Sequence, residues 1–442
     1  MPHTIFPSGG YGAAFPSLWF WFPSSFCTML MLADIPLRLI ALFFAVLVYG
    51  CFGSPTPQNF GLVEAIVGGL LILSINPATV LRRVSGQDTI ESGMVAAIFL
   101  LVYGLTVPLC GGFLAGNAPG LILRDIIPFL FMLLPVFIVS PSGVSFPHIR
   151  IFTIVLTLAG VLFSMRVVLP PVLGIAAGPD TGEGAKYLSI SPLVVFSALT
   201  LILQAGYILY ARFTALRMAY ALGLLSLSVF PFLAMMMTVQ RASLGLMIVA
   251  IMTVAAVAFI RNPLRTLGPV LVLGGTIIVF GWGSFAGMIE TLLQKQNLVG
   301  MNMRGQEAAA IMHAVSGSVW SALFGNGWGA VFVSPAVGET EVGYSHSLLT
   351  YSILKMGMVG MGLVAVWLTL LFRALCRAIR QNPLFVASVS VPVFIDIFLY
   401  ASYKSLDFGL ILLLAGWLGA LGMVHGKDMA AQLRPRPSSC IP

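Results

Sequence analysis

Long apolar stretches follow one another along almost the whole chain, and they constrain its fold more than any other feature. A helix needs about 20 predominantly apolar residues to cross the hydrocarbon core of a bilayer, and stretches of that kind recur from residue 36 to residue 425. Only 8% of the residues are charged, whereas soluble domains carry roughly 25%. The sequence therefore predicts a polytopic membrane protein and excludes a soluble multidomain protein, a disordered chain and a nucleic-acid-binding protein.

Length and hydropathy together predict an all-α integral membrane protein with about twelve transmembrane helices. The predicted spans are residues 36–54, 60–80, 92–110, 121–140, 149–169, 191–210, 215–237, 242–260, 266–288, 346–372, 384–402 and 408–425. Connections between spans are short except for one long loop between spans nine and ten. The two halves show no similarity to each other, which argues against a transporter built from repeats.

This layout divides the chain into five segments. Residues 1–34 are rich in proline and aromatic residues and are expected at the membrane interface, and residues 35–288 contain the first nine spans. Residues 289–345 form the long loop, residues 346–425 contain the last three spans, and residues 426–442 form a tail.

Lys and Arg residues are distributed unevenly between the two sides of the predicted spans. With the N-terminus in the cytoplasm, fourteen of the 22 lie on the inner side, five on the outer side and three within spans. Basic residues collect on the cytoplasmic side of membrane proteins. The sequence therefore predicts that both termini are cytoplasmic and that the long loop faces outward.

The three cations within spans are Arg124, Arg166 and Lys355, each near the outer end of its helix. A buried cation costs about 2.5–3.5 kcal/mol on insertion scales, so three cations at one depth are expected to bind a shared anion. The alternative is that each side chain extends to the interface. Asp125 is also placed to neutralise Arg124 locally.

The long loop begins with a predicted amphipathic helix over residues 303–324, in which apolar residues repeat at four-residue spacing from Ile311 to Leu323. Its apolar face is expected to rest on the membrane or on the outer mouth of the helix bundle. The sequence Phe-Gly-Asn-Gly-Trp-Gly at residues 324–329 cannot continue a helix.

The order of residues after this helix resembles that of the O-antigen ligase/polymerase family. The family pattern is a His followed by Asn, Ser or Gln, nine residues, and Gly-x-x-Gly; His346 to Gly360 fits this pattern. A second family element is an Arg in a short outer turn before a span, within a Ser-Arg-Gly-like sequence. Arg241 occupies that place, although both of its neighbours differ from the pattern. The resemblance covers roughly residues 230–370.

The resemblance implies an enzyme that moves a glycan from undecaprenyl diphosphate to an acceptor at the periplasmic face of a bacterial inner membrane. His346 would be the catalytic general base, since the reference pKa of histidine near 6.5 suits that task. Arg241 and Arg304 would bind the diphosphate, because guanidinium groups bind phosphate oxygens in bidentate fashion. Arg124, Arg166 and Lys355 would add to the same anion site.

The acceptor is left open between lipid A-core, as in a ligase, and a second lipid-linked glycan, as in a polymerase; the His-Ser motif slightly favours the ligase. His346 could equally hydrogen-bond a diphosphate oxygen, and Glu339 and Glu341 are alternative bases. No acidic cluster with metal-ligand spacing faces outward, so the sequence predicts a metal-independent, inverting transfer without a cofactor.

A lipid-linked glycan flippase or secondary transporter is the alternative from another class. It would also need outward-facing cations, but the scarcity of acidic residues at mid-membrane depth argues against it.

Overall fold

The computed structural model describes residues 36–55, 61–85, 92–138, 146–174, 183–211, 214–272, 274–275, 303–379 and 382–432, with side chains described as far as residue 420. The predicted interfacial segment 1–34, the second half of the predicted ninth span and most of the predicted tail lie outside these residues.

The described chain is helical almost throughout. In chain order the helices are α1 (Leu37–Phe52), α2 (Leu62–Ser74), α3 (Pro77–Val84), α4 (Ser92–Leu114), α5 (Pro119–Met132), α6 (Leu134–Phe137), α7 (Phe146–Val172), α8 (Glu183–Ile190), α9 (Pro192–Ala211), α10 (Ala215–Met237), α11 (Arg241–Arg261), α12 (Arg304–Val315), α13 (Val319–Phe324), α14 (Leu348–Ala378), α15 (Pro383–Phe398) and α16 (Leu406–Gln432). Residues 263–272 are also helical. Two short strands, β1 (Phe332–Ser334) and β2 (Thr340–Val342), form an antiparallel hairpin in which Phe332 lies opposite Val342.

Six of the described helices are long and apolar enough to cross a membrane: α4, α7, α9, α10, α11 and α14. Four further apolar segments are shorter, namely α1, α2, α15 and Leu406–Ala420 of α16. This architecture agrees with the predicted all-α membrane fold, whereas the count of twelve spans stays a prediction. The predicted fourth span is divided between α5 and α6, since the chain leaves helical geometry at Leu133.

The centre of the bundle is formed by α9 and by Leu406–Ala420 of α16, whose side chains are buried on nearly all faces. A helix that is apolar all round is stable only when other helices surround it. Helix α16 packs against α14, and α9 packs against α7, α10 and α15. Helix α14 also contacts α4, α12 and α13, so it connects the bundle to the long loop.

The long loop contains two helices in place of the single predicted amphipathic helix. The break falls at residues 316–318, because Gly317 weakens the helix and Ser318 caps a new one by accepting the Ser321 N–H at 3.0 Å. Ile311 and Val315 are buried against β1 and α14, as their spacing predicts. After the break the register is lost, and Val319 is 78% exposed.

The sequence at residues 324–329 ends α13, as predicted, and then inserts between α4 and α14. Gly325, Gly327 and Gly329 all have φ near +80°, a conformation that favours glycine. A Cβ on Gly327 would lie 2.2 Å from the backbone nitrogen of Gly112 in α4. The indole of Trp328 is fully buried and donates to the Gly104 carbonyl at 2.7 Å.

Helix α14 changes direction at Gly357, where φ is 66° and ψ is −169°. Carbonyls just before this point accept hydrogen bonds from the inserted segment: Leu354 O from Asn326 N at 2.9 Å, and Lys355 O from Gly327 N at 3.2 Å. A Cβ on Gly357 would lie 2.3 Å from a backbone oxygen of α13. The kink and the inserted segment therefore form one interlocked unit.

Candidate functional site

The start of α14 and the first turn of α12 bring His346 next to Glu307. His346 Nδ1 lies 3.1 Å from both carboxylate oxygens of Glu307, and the His346 backbone N–H donates to Oε2 at 3.3 Å. The Glu307 side chain is buried, whereas 31% of the His346 side chain is exposed. The pair therefore has one member fixed in the interior and one that a substrate can reach.

Glu307 is held in its ionised form. Burial alone would raise the pKa of its carboxyl, but the hydrogen bonds and charge of His346, with a hydrogen bond from Ser334, outweigh burial and hold the pKa below its ordinary value of 4.5. An ionised carboxylate accepts the N–H of the imidazole, so Nδ1 carries a proton, and in the neutral ring Nε2 is left as the proton acceptor.

Glu307 was missed by the sequence reasoning, although the sequence carries a signal for it. Glu307, Ile311 and Val315 share one face of α12 at four-residue spacing, and all three are buried. A carboxylate on an otherwise apolar helix face needs a polar partner. The predicted alternative bases, Glu339 and Glu341, are exposed on the hairpin, and the carboxylate that contacts His346 in the described structure is Glu307.

Tyr400 lies near both chain segments that carry the arginines assigned to the diphosphate. The guanidinium of Arg304, one helical turn before Glu307, lies 5.9 Å from the centroid of the Tyr400 ring. The Tyr400 hydroxyl lies beside the backbone of Ala242 and Ser243, at the beginning of α11. Helix α11 starts with Arg241, so Tyr400 contacts Arg304 directly and the residues that follow Arg241 in the chain.

Arg241 is the more unusual of these two arginines. Its Nη2 atom is buried and has no hydrogen-bond partner in the described part of the chain. An unsatisfied guanidinium nitrogen costs free energy, and the N-terminus of a helix adds partial positive charge. This end of α11 is therefore suited to an anion.

Lys355 has a different environment from these arginines. It is fully buried, and its Nζ lies 2.6 Å from Asp125 Oδ2. Lys404 Nζ lies 2.8 Å from Asp125 Oδ1, which also accepts the Tyr351 hydroxyl at 3.0 Å. The backbone N–H of Gly329 donates to Oδ2 at 2.9 Å. Asp125 thus holds two lysines and the inserted segment at one point.

Arg124 and Arg166 have separate surroundings. Arg166 donates to the carbonyls of Gly50 and Gly53, at 3.3 and 2.8 Å, and so places its charge at the C-terminus of α1. Arg124 is exposed, and in the described structure Asp125 pairs with the two lysines instead of with Arg124. The structure therefore places Arg166 apart from Lys355, which shares Asp125 with Lys404.

The chain before His346 is fixed from the bundle side. Lys404 donates to the Gly343 carbonyl at 3.2 Å, and the Tyr403 hydroxyl donates to the Ser345 carbonyl at 2.8 Å. Ser347 then caps α14 by accepting the Leu349 N–H at 3.3 Å. In this chain the His-Ser part of the motif therefore combines an accessible imidazole with a helix cap.

Among the residues that the structure describes, no group of three or more His, Cys, Asp or Glu side chains is arranged to hold a metal ion. Cys51, Cys110 and Cys376 are free thiols at exposed positions.

Comparison of the sequence with protein-family models and with curated proteins finds no match. Support for a function comes from the residue pattern between Arg304 and Gly360 and from the geometry of the His346–Glu307 pair.

Proposed function

We propose that this chain is a glycosyltransferase of the bacterial inner membrane that moves a glycan from undecaprenyl diphosphate to an acceptor hydroxyl at the periplasmic face. Lipid A-core is the favoured acceptor, and both termini are cytoplasmic. The observation that carries the proposal is the contact between the half-buried His346 and the buried, ionised Glu307, one helical turn from Arg304.

The reaction follows from this arrangement. His346 Nε2 takes the proton of the acceptor hydroxyl while the hydroxyl oxygen attacks the anomeric carbon of the donor glycan. A new glycosidic C–O bond forms, and the bond from the anomeric carbon to the diphosphate oxygen breaks. Undecaprenyl diphosphate leaves with the electron pair, so one displacement inverts the anomeric configuration. Glu307 fixes the imidazole tautomer and stabilises the imidazolium that forms.

The leaving diphosphate needs positive charge, which comes from Arg304, beside Tyr400, and from Arg241, at the start of α11. Hydrogen bonds between charged groups contribute about 1.5–3 kcal/mol each. Contacts that strengthen as the diphosphate leaves lower the barrier to reaction as well as favouring binding.

The test is glycan transfer by purified protein from an undecaprenyl-diphosphate-linked donor to lipid A-core. We expect His346→Ala, Arg304→Ala and Arg241→Lys each to reduce transfer, because Lys keeps the charge of Arg241 but loses bidentate geometry. Arg261→Lys, at the exposed far end of the same helix, is the matched control and should leave transfer unchanged. Normal transfer by all three site variants at normal expression would refute the proposal.

A bacterial strain in which the gene for this protein is deleted distinguishes the two acceptors. Long glycans that remain on undecaprenyl diphosphate indicate a missing ligase, as we expect, whereas accumulated single repeats indicate a missing polymerase.

We expect transfer to be independent of divalent cations, since arginines neutralise the diphosphate in this scheme. Full activity after treatment with EDTA is the expected result. Loss of activity that Mg²⁺ or Mn²⁺ restores would contradict it.

A further inference from the structure

A cavity of about 160 Å³ lies between α4, α14 and α16. Its lining is mainly apolar and includes Trp367, Leu371 and Trp417, with Arg377 from the last turns of α14. Some lining residues, Ser92 among them, are exposed, so the cavity opens to the outside of the bundle. Apolar cavities of roughly 150 Å³ take up a benzene-sized group, which corresponds to a short segment of an acyl chain.

This cavity is remote from the candidate active site. Helix α14 begins beside His346, and beyond its kink at Gly357 it continues for about 30 Å to Arg377, at a rise of about 1.5 Å per residue. Ser92 likewise begins α4, whose other end contacts the inserted segment at residues 324–329. Both helix lengths are close to the thickness of the hydrocarbon core, about 30 Å, so the cavity lies toward the opposite end of the bundle.

Trp417 carries an unused hydrogen-bond donor. Its side chain is 2% exposed, yet Nε1 is buried and has no partner in the described structure. A buried indole N–H usually finds an acceptor. The Trp417 ring lines the cavity, but its covered Nε1 is not reached from there, so the ring contributes apolar wall surface.

The same end of the bundle is basic. Arg373 and Arg377 are both exposed, one helical turn apart, and the Nε atom of Arg377 donates to the Arg373 carbonyl at 3.4 Å. Helix α3 adds Arg83, which donates to the Val136 carbonyl at 2.7 Å beside the cavity-lining Pro135. The lining residues include no acidic side chain.

We propose that this cavity binds an anionic glycerophospholipid. An acyl segment fills the apolar space beside Trp367 and Trp417, and the phosphate binds Arg377, the residue type best suited to phosphate oxygens. Basic pockets between membrane helices bind acidic headgroups in this way. The proposal is independent of the transferase activity.

Quenching of tryptophan fluorescence by brominated acyl chains tests the proposal, since bromine quenches on contact. The full chain in detergent micelles is titrated with brominated phosphatidylglycerol or brominated phosphatidylcholine. We expect phosphatidylglycerol to quench at the lower concentration, and Trp367→Phe to remove part of the quenched emission. Arg377→Gln should raise the half-quenching concentration of phosphatidylglycerol by roughly threefold to tenfold, the loss of one charge-assisted contact at an exposed site.

Two further variants complete the test. Gly93→Leu should block quenching by filling the cavity, and the site tolerates it because a Cβ there makes only ordinary contact, 3.7 Å, with Leu370. Arg261→Gln removes an exposed arginine that does not line the cavity and should change nothing. Equal quenching by the two lipids, an Arg377→Gln response like that of Arg261→Gln, or undiminished quenching in a folded Gly93→Leu variant would each overturn the proposal.

Discussion

Glu307 occupies a position on α12 where the helix otherwise presents apolar side chains to the interior. Burial of a carboxylate is unfavourable unless hydrogen bonds replace its water, and here the His346 ring, the His346 backbone N–H and the Ser334 hydroxyl replace it. Two of these donors belong to His346 itself. Glu307 orients the His346 ring, and His346 in turn holds the Glu307 carboxylate in place.

Replacement of Glu307 should affect catalysis more than folding. Glu307→Gln keeps the shape but removes the charge that stabilises an imidazolium, so we expect transfer to fall by about 10²–10⁴-fold, the range attributed to general acid–base catalysis. Steady-state transfer by purified protein measures this.

The exposed carboxylates of the hairpin provide the comparison. Glu339→Gln and Glu341→Gln should each transfer at the normal rate, because both side chains project into solvent. If either variant lost as much activity as Glu307→Gln, the assignment of Glu307 to His346 would fail.

Stability should depend on the ionisation of Glu307. Its folded pKa lies below 4.5, so between the two pKa values the unfolded chain binds more protons and stability rises with pH. The contribution is complete above about pH 4.5 and is lost as the pH falls through the lowered folded pKa. In thermal unfolding in detergent, the unsubstituted chain should have a higher midpoint than Glu307→Gln, and this difference should shrink below pH 4.5. A difference in midpoint that grows on acidification would contradict the prediction.

At the scale of single elements, the kink of α14 is specified by its glycines. Gly357 combines a positive φ with a backbone approach that leaves no room for a side chain. Gly360, three residues later, packs so that a Cβ would lie 3.0 Å from the Tyr103 ring, and the Tyr103 hydroxyl donates to the Met356 carbonyl at 2.7 Å. The Gly-x-x-Gly spacing therefore has a packing reason in this chain.

Alanine substitutions along α14 distinguish the role of Gly357 in the kink from the general effect of glycine on helix stability. Gly357→Ala should destabilise the protein by about 1–3 kcal/mol or more through backbone strain and the clash with α13. Gly362→Ala, where nothing lies within 4 Å of the added Cβ, should be neutral or stabilising by up to about 1 kcal/mol. Thermal unfolding of the two variants in detergent gives the comparison, and equal midpoints would show that the kink is dispensable.

The sequence predicts this region only in part. The end of α13 at the glycine-rich segment was predicted correctly, because glycine and its neighbours act locally. The break at residues 316–318 was not, since four-residue apolar spacing continues across it to Val319 and Leu323. Glu307 was not found either, because its partner His346 lies in another element and no local pattern encodes that contact.

At the scale of the whole molecule, Asp125 joins elements that are far apart in the sequence. Its carboxylate contacts α14 through Lys355, the 3₁₀ helix Ala401–Lys404 through Lys404, and the inserted segment through Gly329. Hydropathy predicted the helices but not this junction, since one acid and two lysines from separate segments meet only after the bundle packs. Sequence position suggested Arg124 as the partner of Asp125, and the folded chain uses the lysines instead.

The imbalance of one carboxylate against two ammonium groups predicts an order of mutational effects. Asp125→Asn leaves two cations without their counter-ion and should cost about 3–5 kcal/mol of stability. Lys355→Met leaves a one-to-one pair of Asp125 and Lys404 and should cost clearly less. Unfolding in detergent ranks the two variants, and a larger loss for Lys355→Met would refute the counter-ion role of Asp125.

The glycine-rich insertion also dictates an order of assembly. This segment follows α4 and α5 in the chain and bonds to both, through the Pro108 carbonyl and the Asp125 carboxylate, but two further partners are the Leu354 and Lys355 carbonyls at the α14 kink. Those partners are synthesised after it. The long loop can therefore complete its fold only once α14 has joined the bundle, so the imidazole of His346 and its carboxylate partner come together late in the biogenesis of this protein.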